Sequence, residues 1–292
     1  MTDNTSNART VLVTGGGKGL GRAFAIACAK RGYNVVVNNR RRAGAANSAQ
    51  NVVEEIQTLG GAAVAELSDI TSQDAPEAMV DKALSTYGRL DAVIFNAGVK
   101  GEPSFFGKTS PEAFEEVMEI NFNAQVRLTR AAFAHIWKSK AGRLVYITSS
   151  AGMYGVGGLT PYSASKGALI AFAKALASEN QKGSVRVNLV APYATTRMNE
   201  DAMPAEIRDR FSPEAAAEPA AWLASEDCQC NGELWVAGAG WVRRGAMIET
   251  QGAPVSAFPA LASDADALHD LSEAKTYKDA QPAFLDFAKA SK

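Results

Sequence analysis

The sequence predicts an α/β protein built as a doubly wound parallel sheet of seven strands with helices on both faces. Three observations predict it. Short apolar runs alternate with longer helical patterns along most of the chain. The apolar runs are continuous, as in Val35-Val36-Val37 and Val93-Ile94-Phe95, which suits strands buried on both faces. A cluster of glycines follows the first run and opens a helical stretch.

In order along the chain, strands are expected at residues 10–15, 33–39, 62–69, 90–96, 142–149 and 185–192. Each is mostly apolar and bounded by turn chemistry. Helical patterns lie between them at about 20–31, 47–59, 74–87, 111–138 and 162–181. Ser110-Pro111 is a helix start, with Ser110 as cap and Pro111 at the first helical position. A helix near 213–225 and a strand at 234–237 complete the sheet. Beyond about residue 240 the pattern weakens, apart from a short amphipathic stretch near 283–290.

Composition narrows the function classes. Of 292 residues, 47% are hydrophobic and 21% charged, enough for one sizeable core. A formal net charge of -1 speaks against nucleic-acid binding, which needs a basic surface to displace counterions. No apolar run has the length of a membrane span, and the polar stretch 1–9 reads as a disordered tail. Three cysteines give no disulfide framework, and the expected setting is cytoplasmic. Cys228-Gln229-Cys230 is a poor ligand set for zinc, so no metal is expected. The two histidines, His135 and His269, lie away from any nucleophile at a strand end, which disfavours a Ser-His-Asp hydrolase.

Thr14-Gly15-Gly16-Gly17-Lys18-Gly19-Leu20-Gly21 sits between the first strand and the first helix. There glycines allow close backbone approach to a pyrophosphate, which the free N–H groups of the helix start receive. This is the Rossmann arrangement, and residues 10–292 are expected to form a single dinucleotide-binding domain with an extension from about 240. The second strand ends at Asn39, followed by Arg40-Arg41-Arg42. A carboxylate in that place would hold the ribose hydroxyl of NAD, whereas arginine forks suit the 2′-phosphate of NADP. With Lys18 nearby, the expected cofactor is NADP, ahead of NAD.

Residues 142–149 form a strand ending in hydroxyls, and Tyr162-Ser163-Ala164-Ser165-Lys166 follows. Tyr162 and Lys166 are one helical turn apart and share a face. A neighbouring ammonium favours phenolate, so the tyrosine pKa is expected to fall towards neutrality and fit it for acid/base work. Ser149 is placed to polarise a substrate carbonyl.

With these pieces in order, the sequence resembles the short-chain dehydrogenase/reductase family over residues 10–240. The matching residues are Thr14-Gly15, Gly19, Gly21, Asp69, Asn96-Ala97-Gly98, Asn121, Ser149, Tyr162 and Lys166. The resemblance implies Tyr162 as acid/base and Lys166 on the nicotinamide ribose, with Asn121 holding a water that relays protons to Lys166. Asp69 and Ile70 would flank the adenine, and Asn96, Ala97 and Gly98 would support the cofactor. Pro192 and Thr196 would cover the nicotinamide. Ser149 fits better than Ser150, because it keeps the Ser-x-x-Gly spacing to Gly152. The family also implies a homodimer or homotetramer.

The chain further resembles the 3-hydroxyacyl-CoA dehydrogenase domain of peroxisomal-type multifunctional β-oxidation enzymes, through Val52-Val53-Glu54-Glu55-Ile56 and the run from Asn231 to Trp241. That group has an acidic residue where Asn39 stands and uses NAD. The loop at 99–107 is poorly matched, and Ala290-Ser291-Lys292 is no peroxisomal signal. The expected partner is therefore a small-molecule ketone or alcohol, with 3-hydroxyacyl-CoA, hydroxysteroid and aromatic ketone all open. A non-catalytic NADP-binding regulator is the reading from another class.

Overall fold

Val11 and Val13 point to one side of the first strand and Leu12 to the other, and all three are fully buried. The same holds for Val35, Val36 and Val37 in the second strand and for Val93 and Ile94 in the fourth. A sheet with both faces covered is the result, as continuous hydrophobicity requires. These positions come from a computed structural model, which describes residues 8–41, 46–181, 183–195, 208–250 and 271–290.

The strands are β1 (Thr10–Val13), β2 (Asn34–Asn38), β3 (Ala62–Glu66), β4 (Ala92–Phe95), β5 (Arg143–Ile147), β6 (Arg186–Pro192), β7 (Leu234–Gly238) and β8 (Trp241–Gly245). Their spatial order is β3-β2-β1-β4-β5-β6-β7-β8. Registers from β3 through β7 are all parallel. The eighth strand is the addition to the expected seven. It follows β7 through Ala239 and Gly240, both at positive φ (50° and 77°), as a two-residue hairpin turn demands. So short a link requires an antiparallel pair.

The helices of this sheet are α1 (Gly19–Lys30), α2 (Ser48–Thr58), α3 (Ala75–Tyr87), α4 (Pro111–Met118), α5 (Ala124–Lys138), α6 (Ser150–Tyr154), α7 (Thr160–Glu179) and α8 (Pro213–Leu223). On one face α1, α2 and α8 cover Val11, Val13, Val35, Val37 and Ile94. On the other, α3, α5 and α7 cover Leu12, Val36, Val93 and Phe95. Ser110 Oγ accepts the Ala113 N–H at 3.1 Å, so the expected cap with Pro111 behind it is in place. A five-residue π-helical turn, Glu119–Asn123, joins α4 to α5 within the long helical stretch that the pattern predicts.

By contact the chain divides into two units, Met1–Arg244 and Gly245–Lys292. In the second, Glu249 and Lys275 exchange backbone hydrogen bonds of 3.0 and 2.9 Å. Asp286, on α9 (Ala280–Ala290), accepts from Lys275 Nζ and from Tyr277 Oη. Among the described residues, no helix is long and apolar enough to cross a membrane.

The order β3-β2-β1-β4 reverses direction between β1 and β4. In open α/β sheets the crevice at such a switch point, outside the carboxyl ends of the strands, is where ligands bind. Both the glycine loop and Asn96 fall there.

Candidate active site

Thr14 ties the two sides of the crevice together. Its Oγ1 accepts the Asn96 and Ala97 N–H groups, each at 3.0 Å. The Asn96 amide donates back to Thr14 O at 2.9 Å and Gly15 O at 3.2 Å. Gly21, in the first turn of α1, is forced by this proximity: a Cβ there would lie 2.1 Å from Gly15 O. Gly17 backs onto Ser48 and Asn39, and Gly19 and Leu20 begin α1. The first turn of α1 holds no acidic residue, and no side chain caps it. Its N–H groups and the bare glycine backbone thus form a cradle suited to a dinucleotide pyrophosphate.

Asn38 is a member of this cradle that sequence reasoning missed. It is buried, its Oδ1 accepts the Gly15 N–H at 3.4 Å, and its amide donates to Glu66 Oε2 at 2.7 Å. Beside it, Asn39 directs its amide to Ser48 Oγ at 2.8 Å. Lys18, Arg40 and Arg41 are all exposed at this end of β2. Arg40 Nη1 lies 3.0 Å from Asp69 Oδ2, and Asp69 Oδ1 accepts from Thr71 N–H and Oγ1. Burial raises the Asp69 pKa, but the Thr71 and Arg40 bonds outweigh it and hold this carboxyl below its usual range. Ile70 next to it is buried. Arg42, Thr196 and His269 lie outside the described residues, as does most of the 1–9 tail.

The hydroxyl of Ser149 stands close enough to Tyr162 to favour its phenolate. Gly152 explains how: a Cβ on it would lie 2.6 Å from the Lys166 carbonyl carbon, so α6 rests directly on the backbone of α7. The Ser-x-x-Gly spacing therefore sets Ser149 against Tyr162. Ser149 also caps α6, accepting the Ala151 N–H at 3.1 Å. Lys166 is buried and donates from Nζ to Ile147 O at 2.8 Å, while Nζ stands 5.9 Å from the centre of the Tyr162 ring.

The electrostatics depart from expectation here. Burial raises the Tyr162 pKa, and the nearby Ser149 hydroxyl opposes it without cancelling it. Burial also pushes Lys166 down to about 8. The protein groups alone thus do not lower the phenol, because desolvation outweighs an ammonium that is not in contact with the hydroxyl.

Asn121 sits in the π-helical turn, fully buried. Its Oδ1 accepts the Val99 N–H at 2.8 Å, and its amide donates to Val99 O at 2.9 Å and Ser165 Oγ at 3.0 Å. Ser165 in turn donates to Tyr162 O at 2.8 Å. Gly98 lets the backbone pass close to this group, since a Cβ there would lie 3.0 Å from Asn121 Oδ1 and 3.5 Å from Lys166 Nζ. Asn96, Gly98, Ser149, Tyr162, Lys166 and Pro192 all line one cavity of about 300 Å³, with Leu20 at its edge. Lys100 and Tyr193 line it too, and neither was singled out from sequence as a site residue.

A glycine-cradled crevice running into a Ser-Tyr-Lys cavity on a doubly wound sheet defines a nicotinamide-dependent oxidoreductase class. The family model for short chain dehydrogenase matches residues 9–206, and the chain belongs to that family. It is 37% identical over 254 residues to mouse peroxisomal multifunctional enzyme type 2, covering 85% of this chain and 34% of that one. A short-chain type dehydrogenase/reductase of Mycobacterium tuberculosis is 36% identical over 250 residues, covering 84% and 87% respectively. The solved full-length peroxisomal multifunctional enzyme type 2 of Drosophila melanogaster superposes with a TM-score of 0.79 at 27% identity, covering 96% of this chain and 49% of that chain. This chain spans about a third of the mouse enzyme it matches.

Proposed function

We propose that this protein moves a hydride between NADP(H) and a secondary alcohol or its ketone, with Tyr162 as the acid/base. The observation that carries the reading is the convergence of Ser149, Tyr162 and buried Lys166 on one cavity, which Asn96 and Gly98 connect to the glycine cradle. A bound nicotinamide supplies or accepts the hydride. Ser149 donates a hydrogen bond to the carbonyl oxygen and polarises it, and Tyr162 protonates that oxygen in reduction or deprotonates the alcohol in oxidation. Lys166 contributes positive charge that favours the phenolate and orients the ribose.

Asn121 serves the site in two ways. Its bonds to Val99 and Ser165 position the cavity wall and the start of α7. The relaying water that the family resemblance implies would stand between Asn121 and Lys166, which both approach Gly98 closely. Asp69, Ile70, Ala97 and Pro192 frame the cofactor, with Asp69 also holding Arg40.

The preference for NADP(H) rests on Lys18, Arg40 and Arg41 around a β2 end where Asn39 takes the place of a ribose-binding carboxylate. One charge-assisted hydrogen bond to a 2′-phosphate, worth roughly 1.5–3 kcal/mol, favours NADPH by about tenfold to hundredfold. Comparing kcat/KM for NADPH and NADH in ketone reduction tests this. A protein that prefers NADH refutes the cofactor assignment. Likeness to the multifunctional enzymes makes 3-hydroxyacyl thioesters a class to include in that assay.

A further inference from the structure

Ser165 directly precedes Lys166 in α7 and is fully buried, yet its hydroxyl has polar partners on two different elements. It donates to Tyr162 O, one turn back in α7, at 2.8 Å, and accepts from the Asn121 amide in the π-helical turn at 3.0 Å. A hydroxyl has one hydrogen to give. Because that hydrogen goes to Tyr162 O, Ser165 meets Asn121 only as an acceptor. The helix itself does not call for this residue. Alanine is smaller, fits the same place and is the better helix former, whereas a serine that bonds back to a carbonyl in mid-helix weakens the helix slightly.

The consequence falls on Asn121, which is also fully buried. Its amide offers two donors and, on Oδ1, two acceptor sites. Both donors are engaged, one by Ser165 Oγ and one by Val99 O, and one acceptor site takes the Val99 N–H. Among the described residues, one acceptor site on Oδ1 remains. That oxygen lies towards Gly98 and Lys166, since a Cβ on Gly98 would stand 3.0 Å from it and 3.5 Å from Lys166 Nζ. Turned over, the amide would point N–H groups towards the ammonium and its oxygen at the oxygens of Ser165 and Val99.

We infer that Ser165 is a positioning residue that acts through Asn121: it holds the amide in the sense that keeps a bare acceptor on the Lys166 side, and it ties that amide to the turn of α7 carrying Tyr162 and Lys166. This rests on the hydride-transfer reading above and deepens it. Without the hydroxyl, one buried Asn121 N–H has no acceptor, and the amide is held by Val99 alone. Both the loop after Gly98 and the acid/base helix then lose their common reference.

The test is reduction of ethyl acetoacetate, acetoacetyl-CoA and tetralone with NADPH and with NADH. It compares the parent, Ser165→Ala, Ser165→Thr, Asn121→Ala and the double variant Ser165→Ala with Asn121→Ala, each first checked for a cooperative thermal transition. Ser165→Ala should lower kcat by about tenfold, the size of one hydrogen bond to a buried amide, and leave KM for ketone and cofactor near parent. Threonine keeps an oxygen that bonds back to a carbonyl one turn earlier, so Ser165→Thr should recover most of the loss. The decisive result is the cycle. With Asn121→Ala already present, Ser165→Ala should lower kcat no further, within about twofold. Losses that multiply in the double variant overturn the inference, because Ser165 would then serve α7 and not Asn121, and the hydride-transfer reading would stand. A rise in KM at unchanged kcat in Ser165→Ala overturns it likewise. Where threonine does not fit and that variant melts early, the cycle decides. No turnover of any ketone by the parent counts against both readings.

Discussion

Lys166→Met should make the protein inactive and more stable. In the folded chain the lysine is buried, and desolvation moves its pKa from the ordinary 10.5 to about 8. At about 1.4 kcal/mol per tenfold, that corresponds to a penalty of roughly 3 kcal/mol for holding the charge in the fold. Methionine has a similar shape and no charge, so it removes the penalty. It also removes the bond to Ile147 O, a loss of roughly 1 kcal/mol. The net gain at neutral pH is therefore about 1–2 kcal/mol.

The pH dependence is the sharper signature. Below pH 8 both folded and unfolded chains carry the proton and the penalty is complete. Between pH 8 and 10.5 the unfolded chain binds more protons than the folded one, so the parent gains stability as pH rises. Lys166→Met lacks this slope, and its advantage should shrink across that window. Urea unfolding of both proteins without added cofactor, from pH 6.5 to 10, reads the gap directly. A variant less stable than the parent by the same amount at every pH would refute the reasoning.

Tyr162→Phe keeps the ring and removes the proton donor, so turnover should drop by about 10² or more while NADPH affinity, measured by fluorescence titration, stays near parent. Asn39→Asp with Arg40→Leu places an acceptor beside Ser48 and frees Asp69 from its partner. The NADPH-to-NADH ratio of kcat/KM should fall by about tenfold to hundredfold, and an unmoved ratio would transfer the phosphate contact to Lys18 or Arg41. Gly21→Ala puts a methyl 2.1 Å from Gly15 O. Relieving that overlap costs roughly 1–3 kcal/mol, so Tm should decline and the stabilisation given by added cofactor should shrink with it.

The strands were legible because Val, Ile and Ala fill both faces of each, and their cores coincide with the expected segments. Their ends were less so: Gly15, Asn39, Asn96 and Ser149 all lie just past the strands, where the chain leaves the ladder to form the site. Gly152 was legible in its spacing, but the reason for it, backbone contact with α7, exists only in three dimensions. Asn38 and Glu66 were hidden because each occupies the end of a strand, where polarity usually means exposure; here they bond each other and are buried. The Arg40–Asp69 pair joins residues 29 apart with no local signal. The tyrosine pKa was misjudged because proximity on a helix face says nothing of desolvation. The last strand was missed because Ala239 holds a left-handed turn position that favours Gly or Asn.

The π-helical turn at Glu119–Asn123 has a consequence for insertions and deletions. Such a turn is equivalent to one additional residue spliced into an α-helix. Upstream, α4 packs on α7; downstream, α5 packs on α3. Removing a single residue from this turn would restore ordinary helical winding and rotate α4 by about 100° relative to α5. Val117 would swing out of its contacts and Asn121 would lose both atoms of Val99. In this stretch the number of residues constrains the enzyme more tightly than their identity.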